Sequence, residues 1–145
     1  MHRLPRRLTA AVLAHLFDGD TRVVRRLAAL EDPLGQAYDV LRTAPEDEQV
    51  EALNAHPQIG AGALSATSAQ EQGDAADPTV RADLAALNRA YEAKFGFRHV
   101  IFVQGRSQAA LRDILRTRLT HTREDELTTG LAEVVAIAKD RYGRL

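Results

Sequence analysis

Two short polar clusters lie close together in the sequence and carry the residue types of an acid–base site. The first cluster, residues 56–60, reads HPQIG, and the second, residues 68–72, reads SAQEQ. The pKa of an imidazole lies near neutrality, so a histidine can exchange protons at the pH of the cell. A carboxylate, a hydroxyl and amides close by can orient it or bind a polar substrate. The clusters therefore predict a small site with His56 and Glu71 as an acid–base pair.

A third segment can form a wall of that site. Residues 95–97 read FGF, and residues 100–106 read VIFVQGR. The β-branched run at 100–103 predicts a short extended segment that crosses the core without a strand partner. Arg106 follows in a turn, where its planar guanidinium would clamp a carboxylate or a carbonyl of a substrate.

Each of these residues also has a purely structural interpretation. His56 stands before a proline at a predicted helix end, where a histidine often only neutralises the helix dipole. Ser68 and Glu71 have the spacing of a capping box. The second cluster can serve both purposes, since a capped helix N-terminus also presents N–H groups to an anionic ligand. Arg106 is, in the simplest view, an exposed loop cation.

The composition predicts one soluble domain over residues 1–145. Hydrophobic residues make up 45% of the chain, charged residues 27%, and the net charge is −1, which argues against a nucleic-acid partner. The absence of cysteine excludes a thiolate nucleophile and a cysteine-ligated metal. None of the five histidines has a second ligand at metal-binding spacing. No apolar run reaches the roughly 18 residues of a membrane span, so we expect a cytoplasmic protein.

Helical periodicity covers most of the chain. The pattern predicts a first helix that ends near 18–19, helices that begin at Thr21, Pro33 and Pro45, a strongly amphipathic helix from Val80 to Phe95 with Gly96 as its C-cap, and helices capped by Ser107 and Thr122. The second of these helices carries Leu30. Residues 59–78 are rich in small residues and predict a functional loop with one short helix. We therefore predict an all-α, single-domain bundle of about seven to eight helices, with an irregular active-site loop and a short extended crossing segment.

The polar clusters and the third segment, in this order, resemble the OHCU decarboxylase family, where OHCU is 2-oxo-4-hydroxy-4-carboxy-5-ureidoimidazoline. The resemblance covers residues 56–107 and includes LNRAYEAKFGF at 87–97 and GRS at 105–107. It implies an all-α, often dimeric fold. It also implies decarboxylation of OHCU to (S)-allantoin, the last step of urate degradation, without metal or organic cofactor.

The resemblance also implies roles for individual residues. His56 and Glu71 would be the catalytic residues. The substrate-binding residues would be Pro57, Ser68, Ala69, Gln70, Gln72, Ile101, Phe102, Val103 and, as the cation, Arg106. The chain departs from the family in three respects. Residues 97–99 read FRH where Phe-Pro-Phe is usual, Gln104 occupies a position where many members have arginine, and tryptophan is absent.

Two other functions fit the same residues. The first is a non-catalytic helical binding or scaffold module, in which the site residues would be dispensable for turnover. The second is another cofactor-free lyase or hydrolase that acts on a ureido ring. The expected partners are a small ureidoimidazoline and a second copy of the chain, with no nucleic acid and no membrane.

Overall fold

The computed structural model describes residues 8–59 and 77–145, which form seven helices and no strand. The helices are α1 (Ala10–Leu16), α2 (Arg22–Leu27), α3 (Pro33–Thr43), α4 (Glu46–Asn54), α5 (Pro78–Phe95), α6 (Gln108–Arg118) and α7 (Arg123–Gly143). The all-α prediction is confirmed. The second polar cluster, residues 68–72, lies outside the described residues.

Side-chain caps begin several helices where the sequence predicts them. The hydroxyls of Thr21, Ser107 and Thr122 each accept a hydrogen bond from the backbone N–H three residues further on. This bond satisfies a donor that a helix N-terminus otherwise leaves unpaired. At the end of α5, Gly96 has a φ of 81°, and its N–H donates to the carbonyl of Glu92. Glycine adopts this left-handed conformation without strain, which explains why α5 ends there.

The second helix is shorter than predicted. It ends at Leu27, so Leu30 lies beyond it and not on its apolar face. The N–H of Leu30 donates to the carbonyl of Leu27 at 3.0 Å. This three-residue spacing tightens the last turn and ends the helix. Leu30 still packs against the core from the following turn. Its spacing from the apolar residues of α2 therefore imitates a longer helix.

The last helix, α7, is the centre of the packing. It contacts α1, α3, α4 and α5, while α5 and α6 form a second close pair. The predicted apolar stripe of α5 buries Leu84, Tyr91 and Phe95. Full burial of a large apolar side chain stabilises a fold by about 1.5–3 kcal/mol. Packing on both sides of α7 brings its last turn close to α1 and to the end of α4.

No helix of the described residues is long and apolar enough to cross a membrane. The longest, α7, has 21 residues, but its first turn carries Glu124, Asp125 and Glu126. Acidic side chains at that position stabilise the positive end of the helix dipole.

A buried polar network lies behind the crossing segment, which in the structure spans residues 98–103 and so begins two residues before the predicted run at 100–103. The carboxylate of Glu126 is fully buried, and it accepts hydrogen bonds from the hydroxyl of Tyr91 and from Nε of Arg118, both at 2.7 Å. Arg118 also donates through Nη1 to the carbonyl of Val100 at 2.8 Å. Burial and the Glu126 carboxylate raise the pKa of Tyr91, so its hydroxyl remains a donor. The network thus holds the crossing segment in place.

His99 is buried beside this network. The residue is 2% exposed, and neither ring nitrogen has a hydrogen-bond partner among the described residues. Its ring lies edge-on to Tyr91, with 5.0 Å between the ring centroids. Burial, together with the positive charge of Arg118, lowers the pKa of His99 well below its ordinary value of 6.5. The imidazole is therefore neutral in the folded protein at neutral pH.

We predict that His99 makes the protein less stable in mild acid. Its pKa is lower in the folded chain than in the unfolded chain, so the unfolded chain binds a proton first as the pH falls below 6.5. The free energy of unfolding should then fall by up to about 1.4 kcal/mol per pH unit from this group. Above that pH the contribution should be constant.

Urea unfolding of the wild type and of His99→Phe between about pH 7.5 and about pH 5.5 measures this effect. As the pH falls, the free energy of unfolding of His99→Phe should rise relative to that of the wild type. His15→Gln, which removes an exposed imidazole, is the control for the loss of a histidine elsewhere in the chain. Parallel pH profiles of the wild type and His99→Phe would contradict the prediction.

Candidate active site

A pocket between α1, α4, the crossing segment and α7 brings together residues that are distant in sequence. Its lining consists of Asp18, His56, Pro57, Ile59, His99, Val100, Ile101, Phe102, Val103, Ile137 and Arg141. The predicted site residues His56, Pro57, Ile101, Phe102 and Val103 therefore meet at one place. The predicted residues Ser68, Ala69, Gln70, Glu71 and Gln72 lie outside the described residues.

His56 lies just past the end of α4, as its position before Pro57 predicts. The residue is 4% exposed, and Nδ1 lies 3.1 Å from the carbonyl oxygen of Ala52. Because a carbonyl can only accept, Nδ1 carries the hydrogen and donates it to Ala52. Nε2 is therefore the nitrogen that takes up or releases a proton. It lies 3.9 Å from Oδ2 of Asp18.

The chain that follows His56 is held by α5. The side-chain amide of Asn88, which is buried, donates to the carbonyl of Ile59 at 2.9 Å. The amide of Gln58 donates to the carboxylate of Glu92, also on α5. Ile59 itself packs into the core. These contacts fix the loop and so restrict where the imidazole of His56 can point.

Asp18 and Arg141 form a buried ion pair in the pocket that the sequence analysis did not predict. The atoms Nη1 of Arg141 and Oδ1 of Asp18 lie 3.1 Å apart, and both side chains are less than one tenth exposed. The same Nη1 lies 3.4 and 3.3 Å from the carbonyl oxygens of His15 and Leu16 at the end of α1. The pair therefore joins the first helix to the last.

The backbone of Asp18 is strained. Its φ is 62°, in the left-handed region that residues other than glycine seldom adopt, although aspartate tolerates it better than most. Such strain persists only where the surroundings enforce it, and it is common at functional sites. The only local signal in the sequence was the Asp18-Gly19 pair, which predicted the end of α1 and nothing about the pocket.

Side chains satisfy one edge of the crossing segment. The carbonyl of Val100 accepts from Arg118 at 2.8 Å, and the N–H of Phe102 donates to the carboxylate of Glu133 at 3.2 Å. The carbonyl of Phe102 accepts from the guanidinium of Arg106. The carbonyl of Val100 and both polar backbone groups of Phe102 therefore each have a charged side chain as their partner.

The polar backbone groups of Ile101 and the N–H of Val103 differ from those of Val100 and Phe102. In extended backbone the N–H and C=O of one residue point to one side, and the next residue points to the other. Within the described residues, neither polar backbone group of Ile101 nor the N–H of Val103 has a protein partner. Both residues line the pocket and are about 95% buried. Buried backbone groups need partners, so these groups suit a ligand with amide-like donors and acceptors.

Arg106 lies at the turn that ends the crossing segment. Its backbone N–H and its Nε donate to the carbonyl of Val103 at 3.0 and 3.1 Å. The central residues of this turn, Gln104 and Gly105, have φ values of 52° and 72°, as in a type I′ turn. Arg106 is not among the lining residues of the described pocket, whereas Arg141 is. Its role as a substrate clamp stays a prediction, and Arg141 is a second candidate for the cation.

The described part of the pocket combines three chemical capabilities. It has the Nε2 nitrogen of His56, the guanidinium of Arg141 held in its ion pair with Asp18, and backbone donors and acceptors at Ile101 and Val103. Among the described residues no three His, Asp or Glu side chains gather closely enough to hold a metal ion. The arrangement suits a planar, anionic, amide-like molecule that gains or loses a proton.

Comparison with known proteins supports the same family as the motifs. The sequence model described as OHCU decarboxylase matches residues 2–143. The 2-oxo-4-hydroxy-4-carboxy-5-ureidoimidazoline decarboxylase of Halalkalicoccus jeotgali is 31% identical over 120 residues, which covers 79% of this chain and 68% of that protein. The protein of the same name from Mus musculus is 31% identical over 123 residues, which covers 79% of this chain and 69% of that protein.

The fold also has a close relative among solved structures. A crystal structure of OHCU decarboxylase in the presence of (S)-allantoin superposes with a TM-score of 0.73. The match covers 84% of this chain and 88% of the other, at 23% identity, and shows that the two proteins share a fold. Sequence model, relatives and fold agree, and this chain belongs to the OHCU decarboxylase family.

Proposed function

We propose that this protein decarboxylates OHCU to (S)-allantoin, the last step of urate degradation. The observation that carries the proposal is that Nε2 of His56, the guanidinium of Arg141 and the Ile101–Val103 edge meet in one pocket. The relatives named for this reaction support the choice of substrate. OHCU is a ring with amide-like groups, a ureido arm and a carboxylate, which are the features that such a pocket binds.

The crossing segment holds the ring. A ring N–H donates to the carbonyl of Ile101, and a ring carbonyl accepts from the N–H of Ile101 or Val103. Two such bonds in one plane fix the orientation of the ring as a strand edge fixes a peptide. The bond between the ring and the carboxylate then projects out of the ring plane, which is the geometry in which it breaks most easily.

The reaction breaks that carbon–carbon bond and releases CO₂. The electron pair of the bond moves into the ring imine, whose nitrogen takes up a proton from solvent, and this leaves an enol. The enol hydroxyl then loses its proton to become a ring carbonyl, and the ring carbon that bears the ureido group takes up a proton. Delivery of this proton to one face makes the product chiral, and in this proposal His56 delivers it through Nε2. Glu71, assigned from the family resemblance, orients His56 or binds the ureido N–H groups.

Arg141 supplies the positive charge for the carboxylate and for the oxygen that becomes negative as CO₂ departs. Arginine presents five N–H donors in a fixed plane, and Asp18 and the carbonyls at the end of α1 orient that plane. Charges oriented in advance in a buried site need no rearrangement during the reaction, which makes them effective in lowering its barrier.

We predict that His56→Ala loses stereospecific turnover. OHCU made from urate by urate oxidase and hydroxyisourate hydrolase decays on its own to racemic allantoin, so circular dichroism of the product is the informative signal. The wild type should produce a growing (S)-allantoin signal. Without the proton donor, kcat should fall by about 10²–10⁴, while the fold is retained. A His56→Ala protein with wild-type turnover would remove His56 from the mechanism.

Glu71→Gln is the companion variant. It preserves the shape and the capping capacity of the side chain and removes its charge. A large loss of kcat supports a catalytic carboxylate, and wild-type activity would leave only the helix-capping role. A racemic product at the uncatalysed rate with the wild type itself would favour the non-catalytic binding module.

We predict that Arg141 contributes more to catalysis than Arg106. Arg141→Lys keeps a charge but loses the planar fork, so kcat/KM for OHCU should fall by about 10²–10³, as for loss of one oxyanion donor. Arg106→Lys is the matched variant and should cost much less, because Arg106 acts on the carbonyls of Phe102 and Val103. The reverse order would assign the substrate clamp to Arg106.

The assembly and the location of the protein are part of this proposal. The family resemblance supports a homodimer, and the length of 145 residues supports one domain. The cytoplasmic location stays a prediction from the sequence. Light scattering of the purified protein tests the dimer, and a monomer that is fully active would remove it from the account.

A further inference from the structure

We propose that Arg98 is a positioning residue that ties His56 to the crossing segment and so sets the face from which the proton is delivered. The inference rests on the proposed function and adds to it a residue outside the pocket lining. Arg98 lies at the start of the crossing segment and is half-buried. In this place the family usually has a proline.

Three hydrogen bonds join Arg98 to the end of α4. Its backbone N–H donates to Oδ1 of Asn54 at 2.9 Å. Its Nη1 donates to the carbonyl of Asn54 at 3.1 Å and to the carbonyl of His56 at 3.0 Å. The last carbonyls of a helix have no partner within the helix. Arg98 therefore supplies the partners that α4 lacks at the point where it delivers His56.

A proline at this position cannot make any of these bonds. It has no N–H to offer to Asn54, and it has no side-chain donor for the two carbonyls. A lysine retains the backbone bond and one charged donor, but it lacks the planar guanidinium that reaches two acceptors. The full set of three hydrogen bonds therefore depends on having arginine at position 98.

The hydrogen bonds of Arg98 connect the two parts of the site whose relative position matters for catalysis. His56 comes from the end of α4, while the substrate ring is held by Ile101 and Val103 on the segment that Arg98 begins. The bond from Nδ1 to Ala52 orients the imidazole relative to α4. That bond does not fix the position of α4 relative to the bound ring. Arg98 makes that connection, and a displacement of about 1 Å between reacting groups can lower a rate by about 10².

The inference predicts a specific kinetic pattern. The substrate contacts are intact in Arg98→Met, so KM should change little, while kcat falls by about 10–10². The enantiomeric excess of the allantoin should fall as well, because a displaced His56 no longer protonates one face before the intermediate escapes. Arg98→Lys should recover part of both. A merely structural role would lower stability without this loss of stereochemical control.

The control is Arg123→Met. Arg123 also caps a helix, since its Nε donates to the carbonyl of Phe95 at 2.8 Å. Its Nη1 pairs with Glu46 in the first turn of α4, far along that helix from His56, and among the described residues no hydrogen bond or ion pair joins it to His56. Its loss should reduce stability and leave kcat and the enantiomeric excess at wild-type values. Equal losses in Arg98→Met and Arg123→Met would overturn the inference, and so would wild-type kcat and enantiomeric excess in Arg98→Met.

A readout without turnover separates this inference from the proposed function. In the NMR spectrum of protein with isotope-labelled histidine, the signal that is absent from His56→Ala identifies His56. That signal should shift or broaden in Arg98→Met and stay in place in Arg123→Met. If the wild type makes no (S)-allantoin, the proposed activity fails, and this spectrum still decides whether Arg98 positions His56. An unchanged His56 signal in Arg98→Met would overturn the inference.

Discussion

A stretch of backbone that crosses a helical core without a strand partner must find hydrogen-bond partners elsewhere, and much of this structure follows from that requirement. Unpaired backbone groups in the interior are costly. Arg118, Glu133 and Arg106 satisfy one edge of residues 98–103 with charged side chains. Arg118 in turn needs its own partner, which explains the buried carboxylate of Glu126. Within residues 8–59 and 77–145, both polar backbone groups of Ile101 and the N–H of Val103 are without a protein partner, and these are the groups that the proposed function assigns to the substrate.

The need of buried polar groups for partners also explains why charged groups lie inside a small helical protein. Removal of one partner from a buried ion pair typically destabilises a protein by about 3–5 kcal/mol, because the other charge is left unpaired. Arg118 with Glu126 and Arg141 with Asp18 thus stabilise the fold only as intact pairs. The first pair supports the crossing segment, and the second orients a cation in the pocket. Their shared benefit is a rigid arrangement of groups that act on a ligand.

Features that depend only on neighbouring residues were predicted from the sequence. The caps at Thr21, Ser107 and Thr122, the glycine end of α5 and the position of His56 before Pro57 depend on neighbouring residues, and they are confirmed. The end of α2 was predicted wrongly, because Leu30 packs on the core from a turn and imitates helical periodicity. Motif order identified the family without reference to structure.

Long-range contacts could not be predicted in this way. Asp18 and Arg141 come from opposite ends of the described chain, and each looks locally like an ordinary helix-terminal residue. Arg98 looked like a departure from the usual family motif, and only its contacts with Asn54 and His56 give it a role. The backbone groups of Ile101 and Val103 that lack a partner among the described residues likewise became visible only when the contacts of Val100 and Phe102 were known. Tertiary structure thus added Arg141 and these backbone groups as candidates, whereas the sequence had already indicated His56 as a candidate.

The central claim is that the backbone groups of Ile101 and Val103 in the crossing segment hold the substrate ring beside His56. A crystal structure of this protein with (S)-allantoin tests it most directly. The account predicts that the ring N–H and carbonyl lie within about 3 Å of the backbone groups of Ile101 and Val103. It also predicts that Nε2 of His56 faces the chiral carbon and that Arg141 lies on the side from which CO₂ departs. Allantoin bound elsewhere, with these backbone groups occupied by protein groups or by water, would contradict the account.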